Sequence, residues 1–473
     1  MSKFRPSLEA KGNKRLERFI GVMILSLIGV FIGSWIATNY FGASTNAILS
    51  FAQADGWCSS TNPGLGVHCF GDYGYTILLP LENPYSNWRG VPHSYPPLAN
   101  AFFLPFRAIA ASGHAGIALA LYELILSACL LLPLLHLVTV LRPRLTGAAI
   151  AIAVAGPLTT PFLIAIDRGN NVGILVPFIY ATYRAVARER YDVAALLVIV
   201  MTNWRPQMIL FAIIFLSLRR YRQLLMVALI APLSLVLTFG MFGSSSVVAF
   251  HDWWSAVSSY QNMTKFPSLF PYNLSLSNTV SLIVEQVHHQ LAPTSAYLTS
   301  WENHTKIIGG SAILVSCLAA WHAGRHRKNT KQVLLMVTLL PILATPTSFG
   351  YYLVVLLVPL AFVAADWLIR SGSATRRYDQ GTVSALSLAR CTNRWEEVCW
   401  YCFATLSVVV LVPWPVTEDI LPRGATLGGS LPLLLAGTLL AATWMAATIA
   451  AAQPKQARGT NDIMYSRSRT ERR

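Results

Sequence analysis

Charge is scarce in this chain. Asp, Glu, Lys and Arg make up 12% of its 473 residues, while 54% are hydrophobic. A soluble domain carries about twice that share of charge, so a string of soluble domains is a poor reading, and the mean hydropathy of +0.50 points the same way. Acidic residues are the rarer sign, 20 against 36 Lys and Arg, for a formal net charge of +16. In a soluble protein a pI near 9.7 would suggest nucleic acid. Here the basic residues sit in short loops between apolar segments, which is the positive-inside pattern, and no nucleic-acid partner is expected.

Cysteine is sparse as well. Of seven, only Cys58 and Cys69 fall in a loop outside the membrane, where an oxidising exterior would allow a disulfide. Cys399 and Cys402 have half-site spacing but no second pair, and His288-His289 has no i, i+4 partner for a metal. There is no Asp-x-Asp pair near the polar junctions described below, so neither a metal nor another cofactor is expected. A small-residue cleavage site is also missing after the first apolar stretch, Phe19 to about Phe41. That stretch reads as a signal anchor behind the basic tail Lys3, Arg5, Lys11, Lys14, Arg15 and Arg18.

What is present is a succession of apolar runs, roughly ten to twelve of them, of a length that spans or enters a bilayer as helix. The expected fold is all-α, a polytopic transmembrane helix bundle. With the N-terminal tail inside, the strongly basic loops all fall on the cytoplasmic side, and both termini are cytoplasmic. The segment 96–111 is short and Pro-flanked and reads as lying at or partly in the membrane. A broken stretch, 193–218, is interrupted by Asn203-Trp204-Arg205-Pro206. Proline removes a helical donor and clashes with the preceding turn, and both ends of the stretch are basic, so a hairpin beginning and ending inside is expected. Two outside loops, about 42–95 and 242–303, run to roughly 50 and 60 residues, a length that is uncommon unless functional. The organisation expected is a tail at 1–18, a membrane module at 19–370, a cytoplasmic loop at 371–397, further membrane helices at 398–451 and a basic tail at 452–473.

Polar residues collect at four outer junctions, and an ionisable group near the membrane is a functional hypothesis by default. The first holds Asp72 in Gly71-Asp72-Tyr73-Gly74-Tyr75, then Pro84-Tyr85 and Tyr95-Pro96-Pro97. An acid there could take a proton from a hydroxyl, or be a solvated loop aspartate. The second is Asp167-Arg168-Gly169-Asn170-Asn171. Arg168 suits a phosphate beside a helix N-terminus, and would equally suit a salt-bridged turn. The third is Pro271-Tyr272-Asn273-Leu274-Ser275-Leu276, and the fourth is Thr345-Pro346-Thr347-Ser348-Phe349-Gly350-Tyr351-Tyr352. Together they are what a site at the outer leaflet needs.

In order and content these residues resemble glycosyltransferase family 87, membrane enzymes of the GT-C fold that use polyprenol-phosphate sugars and include mannosyl- and arabinofuranosyltransferases. Asp72, Tyr75, Pro84-Tyr85 and Tyr95-Pro96-Pro97 are similar to its first-loop pattern. Gly169-Asn170 resembles its Gly-Gln turn, Asn273-Leu274-Ser275-Leu276 its Asn-Gln-Ser-Leu motif, and Thr345-Pro346-Thr347-Ser348-Phe349 its Ser-Pro-x-Ser-Trp motif. The likeness covers about residues 20 to 370. The chain departs from the family at Tyr351 and Tyr352, where a histidine is usual, at Asn203, where a basic residue is usual, and at Asn170, which replaces the glutamine.

The resemblance implies transfer of a sugar, mannose or arabinofuranose, from a polyprenyl-phosphate donor to a glycan or glycolipid acceptor at the outer face of a bacterial-type plasma membrane. Asp72 would be the general base of an inverting displacement. Arg168, then Tyr351, Tyr352 and Arg205, would face the donor phosphate. Tyr75, Tyr85, Tyr95, Asn170, Asn273, Ser275 and Ser348 would bind substrate. The lipid-linked sugar is a cosubstrate and the bilayer itself a partner. The rival readings are a multi-pass transporter or lipid flippase, to which a broken helix is also suited, a sugar-polymer polymerase or ligase, and a catalytically silent relative.

Overall fold

The computed structural model describes residues 71–77, 84–85, 93–140, 162, 165–166, 168–242, 245–265, 275–276, 301–323, 330–345, 350–359 and 361–362. Among them every regular element is helical. Helix α1 is Gly71–Ile77, α2 Pro97–Ala111 and α3 Ala115–Val140. A 3-10 turn, Asn171–Ile174, leads into α4, Leu175–Ala187, and α5 is Tyr191–Trp204. A second 3-10 stretch, Pro206–Ala212, leads into α6, Ile213–Ser217, followed by α7, Tyr221–Thr238. Then come α8, Ser246–Lys265, α9, Trp301–Ala323, α10, Thr330–Leu343, and a 3-10 stretch, Gly350–Leu356. The expected segments at 1–70 and 363–473, with Cys58, Cys69, Cys399 and Cys402, lie outside the described residues.

The direction of the helices follows from a few contacts. Asp192 at the start of α5 accepts from Gln223 at the start of α7, and Asn203 near the end of α5 donates to Ser234 near the end of α7. The two helices therefore run the same way, and the chain returns between them through residues 206–217. That is the hairpin the basic ends of 193–218 imply, turning at Arg205-Pro206, where Arg205 is extended at φ −146°. In the same fashion Tyr122 of α3 meets Gly169, and Leu126 and Leu130 crowd Gly173, so α3 and α4 also run in parallel.

Two near-identical turns close the end of the bundle away from Asn203 and Gly169. Glu189 (φ 57°) and Arg219 (φ 55°) are left-handed. The N–H groups of Arg190 and Arg220 reach back to the carbonyls of Ala185 and Phe215, each at 2.8 Å, as in a Schellman helix end. The Arg220 guanidinium lies 4.3 Å above the Tyr191 ring, which sets the turns side by side and gathers their arginines at one end.

Two stretches, Ala115–Pro133 within α3 and Tyr221–Met241, which is α7 with the 3-10 turn after it, are long and apolar enough to cross a membrane. On α7, Leu225, Leu229, Leu233 and Leu237 recur every four residues and are all well exposed. A stripe of that kind belongs against lipid rather than water. The core lies between α2, α3, α4, α5, the 206–217 return and α10, around Phe103, Tyr122, Leu175, Met201, Phe211 and Phe215. Two helices lie within the stretches expected as outside loops, Gly71–Ile77 in the first and Ser246–Lys265 in the second. In both places aromatic packing supplies the order. Tyr73 packs on Tyr122 with ring centroids 4.7 Å apart, and Trp253 packs on Phe239 at 5.3 Å.

Candidate active site

The second junction is built around a glycine. Gly169 has φ +58°, a left-handed conformation that L side chains avoid, and a Cβ there would stand 2.8 Å from the Cβ of Tyr73. Only a residue without a side chain lets α1 come this close. The hydroxyl of Tyr122 donates to the Gly169 carbonyl at 2.7 Å and fixes the turn from the other side. Asn170 then accepts from the N–H of Val172 at 2.9 Å and caps the turn into α4.

With α1 seated on Gly169, Asp72 meets the residues flanking that glycine. Arg168 Nη2 lies 3.4 Å from Asp72 Oδ1, and both side chains are about six-sevenths buried. Asn170 Nδ2 donates to Asp72 Oδ2 at 2.5 Å and to the Tyr95 hydroxyl at 3.2 Å. From the hairpin tip, Arg205 Nη2 donates to Asn171 Oδ1 at 2.6 Å and to Asn170 Oδ1 at 3.3 Å. Its guanidinium lies 4.2 Å from the centre of the Tyr95 ring and 5.6 Å from that of Tyr352, a cation held between two aromatic faces. The Tyr352 hydroxyl accepts from Gln207 at 2.8 Å.

The structure thus brings Asp72, Tyr95, Arg168, Asn170, Arg205 and Tyr352 into one connected cluster at the end of the bundle opposite the twin basic turns. Tyr85 is placed apart from it, buried against Phe239 and Phe242 with ring centroids 5.5 and 6.4 Å away. Ser275 is buried. The side chains of Tyr75 and Tyr351, and the whole of Asp167, Asn273 and Ser348, lie outside the described residues.

Asn171, the last residue of the second junction, holds Arg205. Two further neighbours carry no signal in the sequence that marks them as part of the site: Gln207 holds Tyr352, and the Glu123 carboxylate lies beside Gly169. A buried network sits below Tyr95. His93 Nε2 lies 2.6 Å from Asn100 Oδ1, while Asn100 Nδ2 donates to the Tyr85 hydroxyl at 3.1 Å and to the Tyr95 carbonyl at 3.0 Å. A carbonyl only accepts, so the Asn100 amide must face it with nitrogen. Its Oδ1 then accepts, and His93 carries its proton on Nε2. Burial, opposed by the Asn100 bond and reinforced by the nearby Arg107 and Arg205, holds the His93 pKa down to about 3. The ring is neutral at any physiological pH. Burial, with Asp72 second, raises the Tyr95 phenol well above its ordinary value, so it stays a neutral hydroxyl.

Among the described residues no group of three His, Cys, Asp or Glu side chains is placed to hold a metal. What the cluster offers is a carboxylate between hydrogen-bond donors, with two guanidinium groups close by. That arrangement can accept a proton and stabilise an anion.

The model of glycosyltransferase family 87 matches residues 93–346, more than half the chain. The protein belongs to glycosyltransferase family 87. The matched span opens at His93 and contains Arg168, Asn170, Arg205 and the helices that carry them, while Asp72 precedes it and Tyr352 follows it. No curated protein and no solved structure matches the chain. Family 87 membership makes the chain a glycosyltransferase, and together with its apolar helices it marks a membrane protein.

Proposed function

We propose that this family 87 member transfers a sugar, mannose or arabinofuranose, from a polyprenyl monophosphate to a hydroxyl of a glycan or glycolipid at the extracytoplasmic face of the plasma membrane. The observation that carries the reading is the convergence of Asp72, Asn170, Arg168, Tyr95 and Arg205 at one end of an apolar helical bundle. The twin basic turns at the opposite end favour the cytoplasm there, which turns the cluster outward. The chain would cross the membrane many times with both termini inside. The helix break at Arg205-Pro206, which suited a transporter, delivers Arg205 to this cluster.

In the proposed step Asp72 accepts the proton of the acceptor hydroxyl as its oxygen attacks the anomeric carbon. The bond from that carbon to the phosphate oxygen breaks, and its electron pair stays on the phosphate. The products are an inverted glycoside and polyprenyl phosphate. A phosphate is an acidic leaving group, so positive charge and hydrogen bonds suffice to stabilise it. Arg205 is the better-placed partner, since amide oxygens and aromatic faces hold its guanidinium. Arg168 is engaged with Asp72 and orients the base, within reach of a phosphate bound alongside. Tyr352 and Tyr351 would stand where the family's histidine does, as neutral donors.

The purified protein, offered radiolabelled polyprenyl-phosphate mannose, polyprenyl-phosphate arabinofuranose or the nucleotide sugars, should transfer from a lipid-linked donor alone. Transfer from a nucleotide sugar with none from either lipid donor would overturn the donor assignment.

A further inference from the structure

Helix α2 buries two strongly polar side chains seven residues apart, Asn100 and Arg107, with Phe103 and Phe106 between them. Seven residues make about two helical turns, so both lie on one face, and that face looks at the cluster. Arg107 Nε donates to the Thr76 carbonyl in the last turn of α1 at 3.0 Å, and Thr76 Oγ1 donates to the carbonyl of Asp72 at 2.7 Å. Arg107 Nη2 lies 3.4 Å from Asn100 Oδ1, and its Nη1 is buried with no hydrogen-bond partner. Asn100 meanwhile grips the Tyr95 carbonyl, and the Tyr95 hydroxyl shares the Asn170 amide with Asp72.

We infer that Arg107 is a positioning residue for Asp72, setting the carboxylate by holding the C-terminal end of the seven-residue helix that carries it. The inference rests on Asp72 being the general base. Helix α1 is too short to be stable alone and contains two glycines, each unfavourable inside a helix. Its geometry must come from outside contacts. Its N-terminal side rests on Gly169, and at its C-terminal end Arg107 supplies a donor to the buried Thr76 carbonyl and a positive charge beside the helix end. A guanidinium buried in an apolar helix is costly to desolvate. A neutral side chain would satisfy one carbonyl at less cost, but it would not also reach Asn100, which fixes the Tyr95 side of the same carboxylate.

The test uses the full chain in lipid nanodiscs, with Arg107→Gln, Arg107→Lys and Thr76→Val each placed in the wild-type and Asp72→Asn backgrounds. Readouts are kcat, donor KM and thermal unfolding. Arg107→Gln should lower kcat about ten- to a hundredfold, the cost of a small misplacement of a reacting group, with donor KM nearly unchanged. Arg107→Lys should restore most of that loss. Thr76→Val, which keeps the side-chain shape, should lower kcat in the same direction. In the Asp72→Asn background Arg107→Gln should add nothing further.

Wild-type kcat in Arg107→Gln, or the same proportional loss in both backgrounds, overturns the inference. If Arg107→Gln does not fold, wild-type kcat in Thr76→Val overturns it. If Asp72→Asn itself transfers at the wild-type rate, the base assignment has failed. If Asp72→Asn is silent while Arg107→Gln is fully active, this inference alone has failed.

Discussion

Replacing Gly169 with alanine probes how the site is assembled. The residue is left-handed at φ +58°, and an L side chain there costs about 1–2 kcal/mol. The new Cβ would lie 2.8 Å from the Cβ of Tyr73, whereas carbons in contact sit about 3.5–4.0 Å apart. The separation must open by roughly 1 Å, either in the turn or in α1. Tyr73 directly follows Asp72, so its retreat carries the carboxylate away from Arg168 and Asn170. A misplacement of about 1 Å costs on the order of a hundredfold in rate.

Gly169→Ala should therefore lose about 1–3 kcal/mol of stability and about a hundredfold in kcat, measured by thermal unfolding and labelled-sugar transfer in nanodiscs. Gly116→Ala is the control. Its Cβ would meet nothing within 4 Å, and it should fold at least as well as wild type with unchanged transfer. Gly169→Ala retaining half or more of the wild-type kcat would refute the claim that this close approach seats Asp72.

Arg205→Lys keeps the charge but loses the planar fork to Asn170 and Asn171. Losing hydrogen bonds to a charged group costs about 1.5–3 kcal/mol, so donor KM should rise tenfold or more, and an unchanged KM would move the phosphate elsewhere. Asn170→Asp preserves the cap on Val172 but sets a second carboxylate against Asp72. Like charges sharing a site hold a proton between them, so the acid limb of the kcat/KM profile should move to higher pH. His93 titrates near 3 in the fold and near 6.5 unfolded, so the unfolded chain binds the extra proton between those values. Its contribution to stability is complete above the unfolded value and falls by about 1.4 kcal/mol per pH unit on acidification below it. His93→Gln should flatten that slope in unfolding measurements between pH 6.5 and 4. Glu189→Gly relieves a left-handed side chain and should stabilise the turn by up to about 1 kcal/mol, seen as a higher unfolding temperature.

Much of the site is legible in the sequence because its residues interrupt apolar runs. Asp72, Arg168, Asn170, Arg205 and Tyr352 stand at junctions, and the sidedness of the basic loops by itself gathers those junctions on one face. The hairpin at Pro206 is legible from proline chemistry and from basic residues at both ends. The supporting layer is not, because Asn100 and Arg107 are folded into a Phe-rich helix whose pattern otherwise reads as core. Their i, i+7 spacing is the available signal. His93 carries no pattern at all, since its role depends on where Asn100 and Tyr85 meet in space. Helix α1 is hidden because two glycines in seven residues argue against a helix, and contacts from outside it, Tyr73 packed on Tyr122, the Gly169 approach and Arg107 on the Thr76 carbonyl, override them. Helix α8 is hidden for a related reason, since its Ser-rich sequence is ordered by aromatic packing on Phe239 rather than by its own periodicity.

The central claim is that Asp72 removes the acceptor proton. It is tested most directly by single-turnover transfer of labelled sugar from the polyprenyl-phosphate donor, comparing wild type with Asp72→Asn at saturating donor. The isosteric amide keeps the shape but cannot take the proton, and its nitrogen replaces one of the two oxygens that accept from Arg168 and Asn170. Transfer should fall by about 10²- to 10⁴-fold with donor binding retained. Equal rates in the two proteins would contradict the account and leave the cluster at α1 without its base.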